Sequence, residues 1–93
     1  MAITFDILGE PGCDNALLVR IDSGQSVDRL LFDCGEACLS RISFSEIQAI
    51  DALCFSHFHI DHVAGFDSYF RCNFERSAKP NLIIGPPGSS RLL

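Results

Sequence analysis

Positive charge is scarce in this sequence: seven Lys and Arg stand against twelve Asp and Glu, a formal net charge of -5. There is no broad basic footprint to hold a polyanion, so composition by itself favours neither nucleic acid nor an acidic membrane surface as a partner. A long apolar run is missing too, which leaves no candidate membrane-spanning helix. The opening MAITFDILGE has no basic stretch ahead of its apolar residues and carries Asp6 and Glu10, unlike a secretory leader. The cysteines, Cys13, Cys34, Cys38, Cys54 and Cys72, are odd in number and lack paired spacing, so they read as reduced thiols in a cytoplasmic setting, with Cys34 and Cys54 as small core residues. No internal repeat or low-complexity linker divides the chain, and a 47% hydrophobic content supports a modest core in one domain.

Histidine is sparser still, yet all 3 fall between His57 and His62 in the stretch SHFHIDHVAG, with Asp61 among them. A lone histidine is usually a satisfied core or surface residue. The whole complement gathered in one place, alternating with Phe58 and Ile60, suggests side chains that converge on a metal ion. In an extended backbone His57, His59 and Asp61 share parity, whereas His62 points elsewhere unless the chain turns. Two diverging pairs suit two neighbouring ions. Imidazole and carboxylate suit zinc, manganese or iron, and a metal pair about 3.5 to 4 Å apart holds a bridging hydroxide. A metal-bound histidine needs its other nitrogen oriented by an acceptor, and Asp33, just before Gly35, is the best candidate. The bland alternative makes Asp33 only a turn residue. Cys34 and Cys38 joined with His57 and His59 would be a structural zinc site, though such sites usually show tighter cysteine pairs.

The elements that carry these residues alternate along the chain. ITFDIL (Ile3 to Leu8), ALLVRID (Ala16 to Asp22) and DRLLFDC (Asp28 to Cys34) read as an antiparallel meander, punctuated by GEPGCDN and SGQS. Gly12 and Asn15 read as turn residues. EACLSRI and SFSEIQAI have helix-compatible spacing, with Ser43 and Glu46 placed as a capping box. ALCFS (Ala52 to Ser56) reads as a buried strand. HVAGFDSYFRC can coil as a helix with Val63, Phe66, Tyr69 and Phe70 on one side, weakened by Gly65. NLIIG (Asn81 to Gly85) reads as another buried strand, and Gly85, Pro86, Pro87 and Gly88 as a rigid turn before a helix start at Ser89 or Ser90. Strands first, then strands interleaved with helices, describe an α/β sheet covered by helices, with its site at loop ends beyond the strands.

SHFHIDH matches the His-x-His-x-Asp-His signature of the metallo-β-lactamase superfamily, and LLFDCGE resembles the strand and Asp-x-Gly turn that precede it there. ITFDILGEPGCDN, GFDSYF and NLIIGPPG most resemble the ribonuclease Z branch, metal-dependent enzymes that trim the 3′ end of precursor tRNA. The resemblance implies a four-layer αβ/βα fold with a dinuclear site at one edge. It implies that His57 and His59 bind the first of two divalent ions, zinc before manganese or iron, that Asp61 and His62 bind the second, and that Asp61 also accepts a proton from the attacking water. It places Gly85 to Gly88 beside the substrate entrance. The family completes its site from later segments, with a further histidine, a bridging aspartate, a final histidine, a general-acid histidine and a tRNA-gripping arm. Residues 1–93 are therefore expected to be the N-terminal half of a single domain, inactive in isolation, whose parent cleaves a phosphodiester in precursor tRNA. A small phosphodiester, a phosphorylated metabolite or a thioester is the alternative substrate, and a noncatalytic zinc-binding module the alternative class. Completion of the site by a homodimer partner is left open, and no membrane is expected.

Overall fold

A computed structural model describes residues 1–9, 14–74, 76 and 80–88, with the side chains of Ile60 and Asp61 outside that description. One five-stranded sheet runs in the order β1-β2-β3-β4-β5, from β1 (Ala2–Ile7), β2 (Leu17–Asp22) and β3 (Val27–Phe32) to β4 (Ala52–Cys54) and β5 (Leu82–Ile84). The first three strands pair antiparallel, as their alternating pattern and turn residues require. The β2–β3 turn is closed by Ser23 N–H on the Ser26 carbonyl at 3.0 Å, and Gly24 takes a φ of 89° there. β3, β4 and β5 pair parallel, so the chain crosses over between them.

The first crossover is a 3₁₀ turn at Cys38–Arg41 followed by α1 (Phe44–Gln48). EACLSRI thus makes a single tight turn rather than an α-helix. Ser43 caps α1 by accepting from the Glu46 N–H at 3.2 Å, but the Glu46 carboxylate does not return to Ser43 as a full capping box would have it. It is taken instead by Arg20, in a fork of 2.7 and 2.8 Å, and by Arg29 at 3.1 Å, which ties α1 to β2 and β3. The second crossover divides the expected HVAGFDSYFRC helix in two, α2 (Ile60–Val63) and α3 (Phe66–Asn73), with Gly65 at the N-cap of α3.

The helices cover one face of the sheet. There Leu18, Leu31 and Leu53 lie side by side on β2, β3 and β4 and are fully buried with Ile47, Ile50, Phe55 and Tyr69. The other face carries Ile3, Phe5 and Ile7 of β1, Phe32 of β3, and Leu82 and Ile84 of β5, all exposed. NLIIG is therefore not a buried strand: β5 is an edge strand with Leu82 and Ile84 each 51% exposed, and only Ile83 packs against the core. Phe70, expected on one side with Val63, Phe66 and Tyr69, does not join them at the core. α3 turns Tyr69 and Asn73 inward, and Phe70 lies on its flank, half exposed between the rings of Phe66 and Phe74. Among the described residues no helix is long and apolar enough to cross a membrane. Gly12, Cys13 and the helix start at Ser89 or Ser90 lie outside the described residues.

Candidate metal centre

Phe32, Cys54 and Ile84 are neighbours in register, so the parallel strands β3, β4 and β5 end along one edge of the sheet. The segments beyond that edge are Asp33–Gly35, Ser56–His62 and Gly85–Gly88, the position where sheets of this kind place their sites. The chain leaves β3 sharply because Asp33 adopts a φ of 64°, a left-handed conformation that Asp tolerates better than most residues. Its N–H donates to the Cys54 carbonyl at 2.7 Å, and the next amide, of Cys34, donates to the His62 carbonyl at 2.7 Å. The Gly65 N–H returns to the Cys34 carbonyl at 2.8 Å. These bonds clamp the Asp-Cys-Gly turn against the histidine segment. The approach is close enough that a Cβ on Gly65 would lie 2.2 Å from the Gly35 carbonyl oxygen, so glycine is needed there for space rather than for φ.

The Asp33 carboxylate sits behind the histidines, accepting two hydrogen bonds from Ser56 and meeting the ring of His62. Oδ1 takes the Ser56 N–H at 2.8 Å, and Oδ2 takes the Ser56 hydroxyl at 2.9 Å and lies 2.9 Å from His62 Nδ1. Ser56 Oγ is also 3.0 Å from His57 Nδ1. In front of this carboxylate the imidazoles cluster. His57 lies 4.5 Å from His59 and 3.9 Å from His62, ring centre to ring centre. The backbone stays non-helical only as far as His59: the helical turn of α2 begins at Ile60, and the His62 N–H bonds to the His59 carbonyl at 2.9 Å. That turn brings His62 back over His57. The side chain of Asp61, expected to be both ligand and proton acceptor, lies outside the described residues.

Among the described residues, no three His, Cys, Asp or Glu side chains are arranged to hold one ion. A division of His57 and His59 to one ion and His62 to another asks for no such triplet. The donor chemistry fits a divalent metal: three imidazoles approach one another at the strand-end edge, and a carboxylate engages Nδ1 of His62, the kind of backing a ligating histidine takes. The thiols fit poorly. Cys34 and Cys38 are buried in the core, and burial pushes the Cys34 thiol up to about 12, away from the thiolate that a metal needs. Cys54 is half-buried on the uncovered face, its thiol also raised by burial.

Two features escape sequence reasoning. Ser56 is polar and directly precedes the first histidine, which is the only local signal of its part. Asp14 and Asn15, read as turn residues, stand with Ile7, Phe32, Asp33 and His62 around a cavity of about 420 Å³ that opens beside the histidines. The turn from Gly85 to Gly88, in which Gly88 has a φ of 91°, leaves β5 immediately after the Ile84 carbonyl, and that carbonyl accepts from the Phe55 N–H at 2.7 Å.

A helix-backed mixed sheet, an Asp-x-Gly turn and a histidine segment beyond adjacent strand ends together give the chain a metallo-β-lactamase fold. The fold matches the metallo-β-lactamase fold protein YhfI from Bacillus subtilis with a TM-score of 0.79 at 20% identity, over 99% of this chain and 40% of that one. It also matches the short form of human tRNase Z with a TM-score of 0.70 at 24% identity, over 99% of this chain and 38% of that one. In sequence the chain is 52% identical over 87 residues to a protein named ribonuclease Z from Deinococcus radiodurans, covering 94% of this chain and 26% of the relative. It thus spans about a quarter of that relative's length. A family model described as anti-Pycsar protein Apyc1 matches residues 13–92, and the chain belongs to that family.

Proposed function

We propose that residues 1–93 form the first part of a single metallo-β-lactamase-like domain whose complete form is a two-metal phosphodiesterase of ribonuclease Z type, cutting precursor tRNA at its 3′ end. The observation that carries this reading is the convergence of His57, His59 and His62 in front of the Asp33 carboxylate. His57 and His59 would hold one divalent ion, zinc before manganese or iron, and Asp61 and His62 the other. A metal pair supplies a water acidified toward hydroxide and a clamp on the phosphoryl oxygens. The chain's own residues do the rest. Asp33 orients imidazole, Asp61 accepts the proton of the attacking water, and the turn from Gly85 to Gly88 borders the entrance for substrate.

A second reading keeps the site and changes the substrate to a small phosphodiester. The charge of -5 favours it, because RNA binding rests on an excess of Lys and Arg that these residues do not display. The test compares the 93-residue chain with a longer parent that contains it, on precursor tRNA and on a chromogenic diester with added zinc or manganese. Metal-dependent cleavage of tRNA by the parent is expected, abolished by His57→Ala or His59→Ala. Turnover of the diester alone moves the substrate to the second reading, and a parent indifferent to chelation refutes both.

A further inference from the structure

Ser56 bridges Asp33 and His57, and its hydroxyl has one proton to give. An ionised carboxylate only accepts, so the 2.9 Å contact between Ser56 Oγ and Asp33 Oδ2 uses that proton. The 3.0 Å contact between the same oxygen and His57 Nδ1 is then a hydrogen bond only if Nδ1 carries a proton of its own. The serine is held in this arrangement by its backbone N–H, which donates to Asp33 Oδ1 at 2.8 Å. His62 meets Asp33 Oδ2 directly at 2.9 Å, and there too Nδ1 must be the donor.

We propose that Ser56 is a positioning residue whose hydroxyl extends the reach of Asp33 to His57, so that one carboxylate fixes both His57 and His62 in the Nδ1–H tautomer with Nε2 as the ligating nitrogen. The two rings belong to different ions in the function proposed above, and on that reading the relay sets one donor atom in each half of the site at once. His59, which is exposed and has no such backing among the bonds described, is the ring whose tautomer the relay leaves unset.

The tautomer can be read without metal and without activity. Long-range proton–nitrogen correlation spectra of the 93-residue chain, stripped of metal and held at about pH 8.5 so that imidazole is neutral, distinguish a protonated Nδ1 from a protonated Nε2. His57 and His62 are expected in the Nδ1–H form. Ser56→Ala should release His57 from that preference while His62 keeps it, and Ser56→Thr, which retains the hydroxyl, should leave both as they are. His57 in the Nε2–H form in the unaltered chain overturns the proposal, as does an Nδ1–H His57 that persists in a folded Ser56→Ala chain. Should Ser56→Ala fail to fold, the unaltered chain and Ser56→Thr decide. Zinc titration of the same samples separates this inference from the functional one, with affinity expected to fall about tenfold in Ser56→Ala. Correct tautomers without zinc uptake leave the relay standing and remove the metal centre, whereas zinc uptake with the wrong tautomer does the reverse.

Discussion

Asp33 combines a left-handed backbone with a carboxylate that reaches Ser56 and His62, and a single substitution separates the two properties. Asparagine also tolerates a positive φ and can still accept from the Ser56 amide, so Asp33→Asn should keep the fold. Without the negative charge and the second acceptor, zinc affinity should drop by about 10- to 100-fold, which competition titration measures beside a circular-dichroism melt. An unchanged affinity with a lowered melting temperature would return Asp33 to a turn residue. Gly65→Ala should act in the opposite way. Its Cβ would meet the Gly35 carbonyl at 2.2 Å, between two backbones that cannot both yield, and a cost of about 1 to 3 kcal/mol in denaturant unfolding is expected. The histidines and Asp33 could be singled out from sequence because their residue types announce metal chemistry. Ser56 and Gly65 could not, since their importance lies in contacts with Asp33 and Gly35, 23 positions away for Ser56.

At the scale of elements, Glu46 shows how a correct local signal was redirected by tertiary structure. The Ser43 cap is present as the sequence implies, yet the carboxylate that should complete the box is drawn to the cationic pair Arg20 and Arg29 on neighbouring strands. Hydrogen bonding to Arg20, the strongest influence, holds the Glu46 carboxyl down at about 2. A carboxyl lowered on folding stabilises the native state above its unfolded value of about 4.3, and that contribution disappears as pH falls from there toward about 2. Melting temperatures across this window should therefore decline less in Glu46→Gln than in the unaltered chain, with the two curves furthest apart near neutrality. Equal slopes would show that the fork between α1 and the sheet adds nothing. The same override explains the helices. EACLSRI and HVAGFDSYFRC have adequate helical spacing, but the first must turn within four residues to enter α1, and the second is interrupted where Gly65 passes Gly35. The meander was legible because its pairings are between neighbours in sequence.

For the whole molecule, the decisive asymmetry is that the sheet buries one face and exposes the other. Phe5 is 64% and Ile7 67% exposed, on the same face as Phe32, Leu82 and Ile84. An apolar sheet face of this extent favours association. The 93-residue chain is expected to self-associate in sedimentation velocity, and Phe5→Glu should shift it toward monomer. A monomer at every concentration would contradict this. Sequence could not distinguish the covered from the uncovered side of NLIIG, because a short apolar run carries no period that tells one face from the other.

The parallel pairing of β3 with β4 also sets an order in time. β1, β2 and β3 each pair with the next strand in sequence, whereas β4 reaches β3 only after the crossover through α1, and Asp33 meets His62 across 29 positions. Loops of that length close late in folding, after the meander's local turns. The histidine cluster should then be assembled after the rate-limiting barrier and be among the first features lost on the way back. A metal bound there would leave the folding limb of a chevron nearly unchanged and slow the unfolding limb, acting as a latch on a structure already made.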